Sequence, residues 1–94
     1  MRRAARIDDN QNEIVNRLRE LGASVEILSA VGKGCPDILV GYNGHNYLIE
    51  IKDGSKPPSK RKLTPDQKIW HSKWLGHVSV CKSLEDAIMV VLDA

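Results

Sequence analysis

The feature that most constrains the fold of this chain is the pair Asn43-Gly44 between two stretches of β-forming residues. Asp37 to Tyr42 has the sequence DILVGY, and His45 to Lys52 has the sequence HNYLIEIK. Asn-Gly favours the two-residue turn that joins antiparallel strands, because both residues tolerate a positive φ. The sequence therefore predicts a β-hairpin with a one-to-one register, which places Tyr42 opposite His45 and Asp37 opposite Glu50.

The remaining elements follow from apolar periodicity and turn residues. Apolar residues at helical spacing predict a helix from Asp9 to Leu21, capped by Asp8 or Asp9 and ended by Gly22. The other predicted segments are a strand from Ala23 to Ala30, a glycine-rich connection from Val31 to Pro36, a loop from Gly54 to Lys62, a helix from Thr64-Pro65 to Leu75 that stops at Gly76, a strand from His77 to Lys82, and a helix from Ser83 through Leu92. The order α-β-β-β-α-β-α predicts an α/β fold with a central mixed sheet flanked by helices.

The composition is that of a soluble globular protein. The chain has 94 residues, of which 41% are hydrophobic and 28% charged, so we expect one domain over residues 1–94 with a modest core. No apolar run is long enough to cross a bilayer, which excludes a membrane-spanning helix. The basic N-terminus has no apolar stretch behind it, so we expect no secretory signal and a cytoplasmic location.

The net charge of +2 hides an uneven distribution. Between Lys52 and Lys73 there are seven basic and two acidic residues, whereas acids dominate from Lys82 onward. This asymmetry predicts one positive side that holds phosphates, with a solvated lysine-rich loop as the alternative. The residues expected to hold phosphates, together with Arg2, Arg3 and Arg6, are Gly32, Lys33, Gly34, Lys56, Lys60, Arg61 and Lys62.

Charged side chains converge at the open end of the predicted hairpin. Glu50 and Lys52 share one face of their strand, and the register brings Asp37 beside Glu50 with Cβ atoms about 5 Å apart. Two adjacent carboxylates repel unless a proton or a cation lies between them, and Mg²⁺ suits such oxygen ligands. Lys52 can orient a water or stabilise charge on a phosphate. The pattern predicts metal-assisted phosphodiester hydrolysis, with a surface salt bridge among these three residues as the alternative.

The same residues resemble a known nuclease motif. Pro36-Asp37 followed by Glu50-Ile51-Lys52 resembles the PD-(D/E)XK motif, and especially its VRR-NUC (virus-type replication-repair nuclease) branch, which includes stand-alone domains of phages and prophages. The stretch from Ser29 to Asp37 also resembles this branch, and Lys62 to Gln67 is similar to its L-[ST]-P-x-Q helix start. The resemblance covers nearly the whole chain and implies a restriction-endonuclease-like core.

The resemblance implies a DNA endonuclease that depends on Mg²⁺ or Mn²⁺. Asp37, Glu50 and the backbone carbonyl of Ile51 would be metal ligands, Lys52 the catalytic lysine, and Gln67 the helix glutamine near the site. Stand-alone relatives look like dimers that cut branched DNA, so we expect a homodimer that acts on four-way (Holliday) junctions. The alternatives are a nickase or flap nuclease of the same fold and a non-catalytic DNA-binding module.

One position departs from the family pattern. Many relatives carry a glutamate on the first helix that also serves the metal, and the matching residue here is Gln11. Gln11 shares the apolar stripe of the helix with Ile14 and Leu18, whereas Glu13 lies about 160° away around the axis. We therefore expect Gln11 rather than Glu13 at the site, where it would hold a water or coordinate weakly without adding charge.

The aromatic, cysteine and histidine residues give weaker indications. Trp70 and Trp74 lie one turn apart on the helix after Pro65. A core position is the first expectation for one of the two indoles, a dimer contact is the second, and base stacking is ranked last. Cys35 and Cys81 are far apart and next to apolar residues, so both are expected to be small core residues. No metal-ligand spacing is shared by His45, His71 and His77.

Overall fold

The structure, a computed structural model that describes residues 10–92, contains one four-stranded sheet and three α-helices within those residues. The elements are α1 (Gln11–Glu20), β1 (Ser24–Ile27), β2 (Ile38–Tyr42), β3 (His45–Ile51), a 3-10 turn (Pro58–Lys60), α2 (Pro65–Lys73), β4 (Val78–Cys81) and α3 (Leu84–Leu92). The predicted order of helices and strands is confirmed. No helix in this part of the chain has the length and apolar character needed to cross a membrane.

The predicted hairpin is present and sets the register of the sheet. Asn43 has a φ of 52° and Gly44 a φ of 82°, as a two-residue turn with both central residues at positive φ requires. Tyr42 lies opposite His45, and Ile38 lies opposite Ile49. Asp37 therefore lies just before β2, and Lys52 just after β3.

The sheet is mixed because of the connection that reaches β4. Its order is β1-β2-β3-β4, with β1 antiparallel to β2 and β2 antiparallel to β3. β4 runs parallel to β3, with Cys81 beside Ile51. A parallel neighbour needs a long crossover, and here that crossover contains α2. The predicted mixed sheet flanked by helices is confirmed.

The core lies between one face of the sheet and the helices α1 and α3. Alternation along β2 and β3 turns four residues to this face, and Ile38, Val40, Ile49 and Ile51 are all buried there. They pack with side chains from α1, α3 and β4, namely Ile14, Val15, Leu18, Ala87, Val91 and Cys81. Glu50 belongs to the opposite face of β3.

The ends of the helices follow ordinary capping chemistry. Gly22, at a φ of 99°, ends α1, with its N–H donating to Arg19 O and the N–H of Ala23 donating to Leu18 O, both at 3.0 Å. These two bonds form a Schellman motif, which confirms the predicted stop. The predicted cap of α3 is also confirmed, since Ser83 Oγ accepts from the N–H of Asp86 at 3.1 Å.

Two predicted boundaries are wrong. β1 ends at Ile27 instead of Ala30, because Ile27 pairs with Ile38, the first residue of β2, and the chain then turns with Val31 N donating to Leu28 O at 2.9 Å. α2 ends at Lys73, and Trp74 already has extended backbone with φ −75° and ψ 124°. Gly76 therefore does not stop this helix.

The start of α1 differs from the prediction in its cap. The helix begins at Gln11, and the preceding Asn10 makes no side-chain cap. Its Nδ2 donates instead to the carbonyl of Lys52 at 3.2 Å, which ties the start of α1 to the end of β3. The predicted caps Asp8 and Asp9 and the predicted phosphate contacts Arg2, Arg3 and Arg6 lie outside the described residues.

Candidate active site at the end of strand β3

Asp37 is attached to β3 through its main chain and its side chain. Its N–H donates to Ile49 O at 3.1 Å, and its Oδ2 accepts from the N–H of Ile51 at 2.6 Å. The buried Pro36 precedes it and fixes the approach of the chain. The carboxylate is half-buried and lies next to the last residues of β3.

Glu50 is a buried carboxylate, with only 1% of its surface exposed. Its Oε2 accepts from Gln67 Nε2 at 3.0 Å. A carboxylate removed from water is stable only when donors or cations replace the lost solvation. One such donor therefore comes from α2, which lies elsewhere in the sequence.

Lys52 is also buried, with 8% of its surface exposed. Its Nζ donates to Gln67 Oε1 at 2.8 Å, and its backbone N–H donates to Cys81 O at 2.9 Å. The alternative of a surface salt bridge is wrong, because neither Glu50 nor Lys52 is at the surface. A buried ammonium is far more costly than an exposed one unless it is bonded in this way.

Gln67 joins these two charges because of how α2 begins. Thr64 is the N-cap and Pro65 the first helical residue, as predicted. Thr64 Oγ1 accepts from Gln67 N at 3.2 Å, and Gln67 Oε1 accepts from Thr64 N at 2.9 Å. This capping box holds the Gln67 amide so that Oε1 faces Lys52 and Nε2 faces Glu50.

A solved structure is similar to this chain over most of its length. The two share 27% sequence identity and a TM-score of 0.62, and the match covers 87% of this chain and 89% of the other. That structure is a VRR_NUC domain. No family model and no curated protein matches this chain. The match confirms the resemblance and the fold predicted from the sequence, and it supports a nuclease-like fold.

In this VRR_NUC-like fold, the glycine-rich connection packs against the start of α2. Gly32, Lys33 and Gly34 have φ values of 73°, 56° and 82°, three successive left-handed residues. A Cβ on Gly34 would collide with the carbonyl of Asp66 and lie 2.8 Å from Gln67 N. The close approach that the structure shows at Gly34 is therefore to α2, whereas Gly32 and Lys33 are exposed.

The predicted phosphate-binding loop closes back on the site of the VRR_NUC-like core. The loop from Gly54 to Lys62 lies between Lys52 and Gln67, whose side chains are bonded to each other. Lys60 and Lys62 are exposed, and Lys56 and Arg61 are half-buried. Arg61 Nε donates to the carbonyl of Lys56 at 2.8 Å, so this guanidinium also holds the shape of the loop.

Gln11, the residue of α1 predicted to reach the site, is buried with 1% of its surface exposed, whereas Glu13 is exposed. The bond from the neighbouring Asn10 to Lys52 O places this end of α1 at the end of β3. Gln11 Oε1 is buried and has no hydrogen-bond partner among residues 10–92. A buried amide oxygen without a donor is the group that a water or a cation would satisfy.

Two side chains near the VRR_NUC-like site were missed by the sequence reasoning. Cys35 is half-buried, not a core residue as expected, and its pKa is raised by burial and then by the charges of Glu50 and Asp37. His71 Nε2 lies 3.8 Å from Glu50 Oε1. The pKa of His71 is lowered by burial and then by Lys52. Its spacing of one helical turn from Gln67 is the signal that would have found it.

The indoles do not fill the core of the VRR_NUC-like fold. No residue of α2 is fully buried. Trp70 and Trp74 stack on each other, with ring centroids 4.7 Å apart and an interplanar angle of 18°. The predicted core position for one indole is wrong, because Trp70 is half-buried and Trp74 is exposed over 45% of its surface.

The residues at the end of β3 fit a hard divalent cation. Within residues 10–92, no three side chains of His, Cys, Asp or Glu converge tightly enough to hold an ion by themselves. Mg²⁺ commonly uses one or two carboxylates and keeps several waters, which agrees with Asp37, Glu50 and the Ile51 carbonyl as its protein ligands. The buried oxygen of Gln11 agrees with a further water or a weak ligand.

Proposed function

We propose that this chain is a metal-dependent, structure-specific DNA endonuclease that cuts four-way junctions as a homodimer. The observation that carries the proposal is the buried pair Glu50 and Lys52, bridged by Gln67 beside Asp37. Buried charges with this much supporting structure are costly to keep for stability alone. The similarity to a VRR_NUC domain makes DNA the expected substrate.

Each side chain of the site would have a separate task. Asp37 and Glu50, with the Ile51 carbonyl, would hold Mg²⁺ or Mn²⁺, which when bound supplies Lewis acidity and lowers the pKa of water. Lys52 places a positive charge at the same end of β3, where it can orient the attacking water or stabilise charge on the phosphate. Gln67 acts as a positioning residue, because its two bonds hold Glu50 and Lys52 at a set separation.

The exposed lysines fit recognition of the DNA backbone. Lys33 lies in the glycine-rich connection that ends at Asp37. Lys60 and Lys62 lie in the loop between Lys52 and Gln67, whose side chains are bonded at the site. Lysines that contact phosphates give affinity without reading sequence, and they make binding strongly dependent on salt. We therefore expect the shape of the DNA to decide the substrate.

Exposed apolar residues on and after α2 would form the dimer surface. Leu75 is 100% exposed and Ile69 is 53% exposed, next to the stacked indoles. Symmetrical cleavage of a four-way junction needs two sites related by a two-fold axis. A self-complementary apolar patch would supply that contact.

Cleavage assays with matched variants test the proposal. Four-way junction, flap and linear duplex are each incubated with Mg²⁺, Mn²⁺ or EDTA, using wild type, Asp37→Asn, Glu50→Gln and the control Glu26→Gln, an exposed acid on β1. We expect symmetrical junction cuts that need the ion, and a loss on the order of 100-fold or more in the two site variants. Full activity of either site variant would refute the site.

The same assay separates the alternatives. If a monomer cuts flaps or makes single nicks, the protein is a nuclease of the same fold with a different DNA substrate, and the proposed catalytic residues still stand. Junction binding that is sensitive to salt but indifferent to EDTA, with no products under any condition, would identify a binding module. Glu50→Gln keeps the size of the side chain but leaves the buried Lys52 ammonium without its counter-charge, so circular dichroism must show that each variant is folded before its activity is compared with wild type.

A further inference from the structure

The two indoles of α2 continue the helix face that forms the candidate site. Trp70 and Trp74 follow Gln67 at spacings of three and seven residues, so all three lie on one face of the helix. Trp74 is the C-cap residue of α2, and a rise of about 1.5 Å per residue puts it roughly 10 Å from Gln67 along the axis. Because Gln67 bonds both Glu50 and Lys52, the indoles lie just outside the site.

One face of the Trp74 ring is open. Its other face stacks on Trp70, with ring centroids 4.7 Å apart and an interplanar angle of 18°. Gly76 lies beside its Nε1 edge, since a Cβ on Gly76 would be 3.0 Å from Nε1. Trp74 is nevertheless exposed over 45% of its surface, so this exposure comes mainly from the second face. The indole is therefore held from one side and one edge, with a flat apolar surface turned to solvent.

Lysines surround this open indole. Lys68 and Lys73 are exposed on α2, and Lys60 and Lys62 are exposed in the preceding loop. An aromatic face flanked by basic residues is the combination that binds unpaired nucleic acid, because bases stack on the ring while the cations contact phosphates. A two-fold contact between two copies through the indoles would bring their Lys73 side chains together, and like charges repel. The charges therefore favour DNA over a second copy of the chain.

We propose that Trp74 is a stacking platform for an unpaired nucleobase of the DNA bound at the site. Stacked nucleotides are about 3.4 Å apart, so the stacked base belongs to a nucleotide about three positions from the phosphate at the site. Stacking accepts any base, and a base that is already unpaired reaches the ring at the lowest cost. This inference rests on the proposed binding of DNA and adds a contact that distinguishes branched or unpaired DNA from linear duplex.

Binding in EDTA, which prevents metal-dependent cleavage, tests the inference. The probes are a single strand, a four-way junction and a linear duplex, each titrated into wild type, Trp74→Ala, Trp74→Phe and the control Met89→Ala, an exposed apolar residue of α3. Trp70 and Trp74 are the only tryptophans of the chain, so quenching of their fluorescence reports stacking directly. We expect quenching by the single strand and the junction and much less by the duplex. Trp74→Ala should weaken binding of the single strand about 5- to 150-fold, Trp74→Phe should weaken it less, and duplex binding should change less than about twofold.

Abasic nucleotides in the junction identify the stacked base. Each nucleotide next to the branch point is replaced in turn, because the branch point fixes the position of the protein on the DNA. One replacement should weaken binding by wild type and Met89→Ala as much as Trp74→Ala does. The same replacement should leave the affinity of Trp74→Ala unchanged, since the ring that the base would meet is already absent.

The outcomes separate this inference from the proposed function. Equal losses on the single strand and the duplex in Trp74→Ala, or single-strand binding by wild type without quenching, would refute the platform. Junction cleavage without quenching would refute the platform and leave the endonuclease standing, whereas quenching and the abasic effect without cleavage would support the platform and refute the endonuclease. No binding of any DNA by wild type would refute both.

A dimer contact is the other result that would overturn the platform. Ile69 of the proposed dimer surface lies about 100° around the helix from Trp70, and sedimentation measures whether the indole belongs to that surface. If Trp74→Ala turns a dimer into a monomer and all three DNAs lose affinity equally, Trp74 is a dimer contact. The wild-type fluorescence titration decides the stacking even if Trp74→Ala fails to fold.

Discussion

Replacement of Gln67 by alanine should destabilise the fold by about 3 kcal/mol. The change removes two bonds to charged partners, Lys52 Nζ at 2.8 Å and Glu50 Oε2 at 3.0 Å, and one bond from Thr64 N at 2.9 Å. Bonds to charged groups are worth about 1.5–3 kcal/mol each and neutral ones about 0.5–1.5 kcal/mol. The total loss is smaller than the sum of these values, because Gln67 is half-buried and water can replace some of the lost hydrogen bonds.

The measurement is urea unfolding in EDTA, monitored by tryptophan fluorescence. A loss of about 3 kcal/mol would lower the melting temperature by roughly 12–24 °C in a domain of this size. Lys68→Ala, at the next and exposed position of α2, is the control for helix propensity and should stay within about 0.5 kcal/mol of wild type.

Gln67→Glu separates the donor role of this side chain from its acceptor role. The new carboxylate can still accept from Lys52 and Thr64, but it would place an oxygen where Nε2 now lies, 3.0 Å from Glu50 Oε2. One of the two carboxylates must then bind a proton in the folded state that the unfolded chain releases at neutral pH. The unfolding free energy should therefore fall as pH rises from about 5 to 8.

Two results would refute this reasoning. One is a Gln67→Ala protein that unfolds within about 1 kcal/mol of wild type. The other is a Gln67→Glu deficit that is the same at pH 5 and pH 8. Either would mean that the bridge to Glu50 and Lys52 does not contribute in solution.

Three further changes test other parts of the molecule. Gly34→Ala should lose at least about 2 kcal/mol more in urea unfolding than Gly32→Ala, because both have positive φ but only Gly34 meets the backbone of α2; equal losses would contradict this contact. Burial, and then Asp86, raise the pKa of Cys81 to about 11, so the folded state holds this proton more tightly and stability should fall as pH rises above about 9. The unfolding free energy of Cys81→Ala should fall less steeply above pH 9 than that of wild type, and an equal slope in both proteins would refute a role for this thiol. Leu75→Asp should leave stability within about 0.5 kcal/mol but halve the mass in analytical ultracentrifugation, and an unchanged dimer would exclude this surface.

Local chemistry explains why much of the fold was predictable. The turn at Asn43-Gly44 depends only on the φ values that these two residues tolerate, and it sets the register of both strands. Thr64-Pro65 likewise caps a helix through bonds to its own first turn. The predicted end of α2 at Gly76 was wrong because its last residues have no apolar stripe in the core, so no packing extends the helix.

The candidate site was also predictable only where it depends on local chemistry. The sequence alone determined that Asp37 lies opposite Glu50 at the open end of the hairpin, with Lys52 two residues after Glu50, because hairpin register and strand alternation are local properties. Only the tertiary structure decided that Gln67 joins Glu50 to Lys52 and that His71 faces the same carboxylate. Gly34, more than thirty residues away in the sequence, lies directly against the backbone at the start of α2. Such a long-range contact leaves no periodic pattern in the sequence, so the position of α2 against the buried charges could not be predicted from local chemistry.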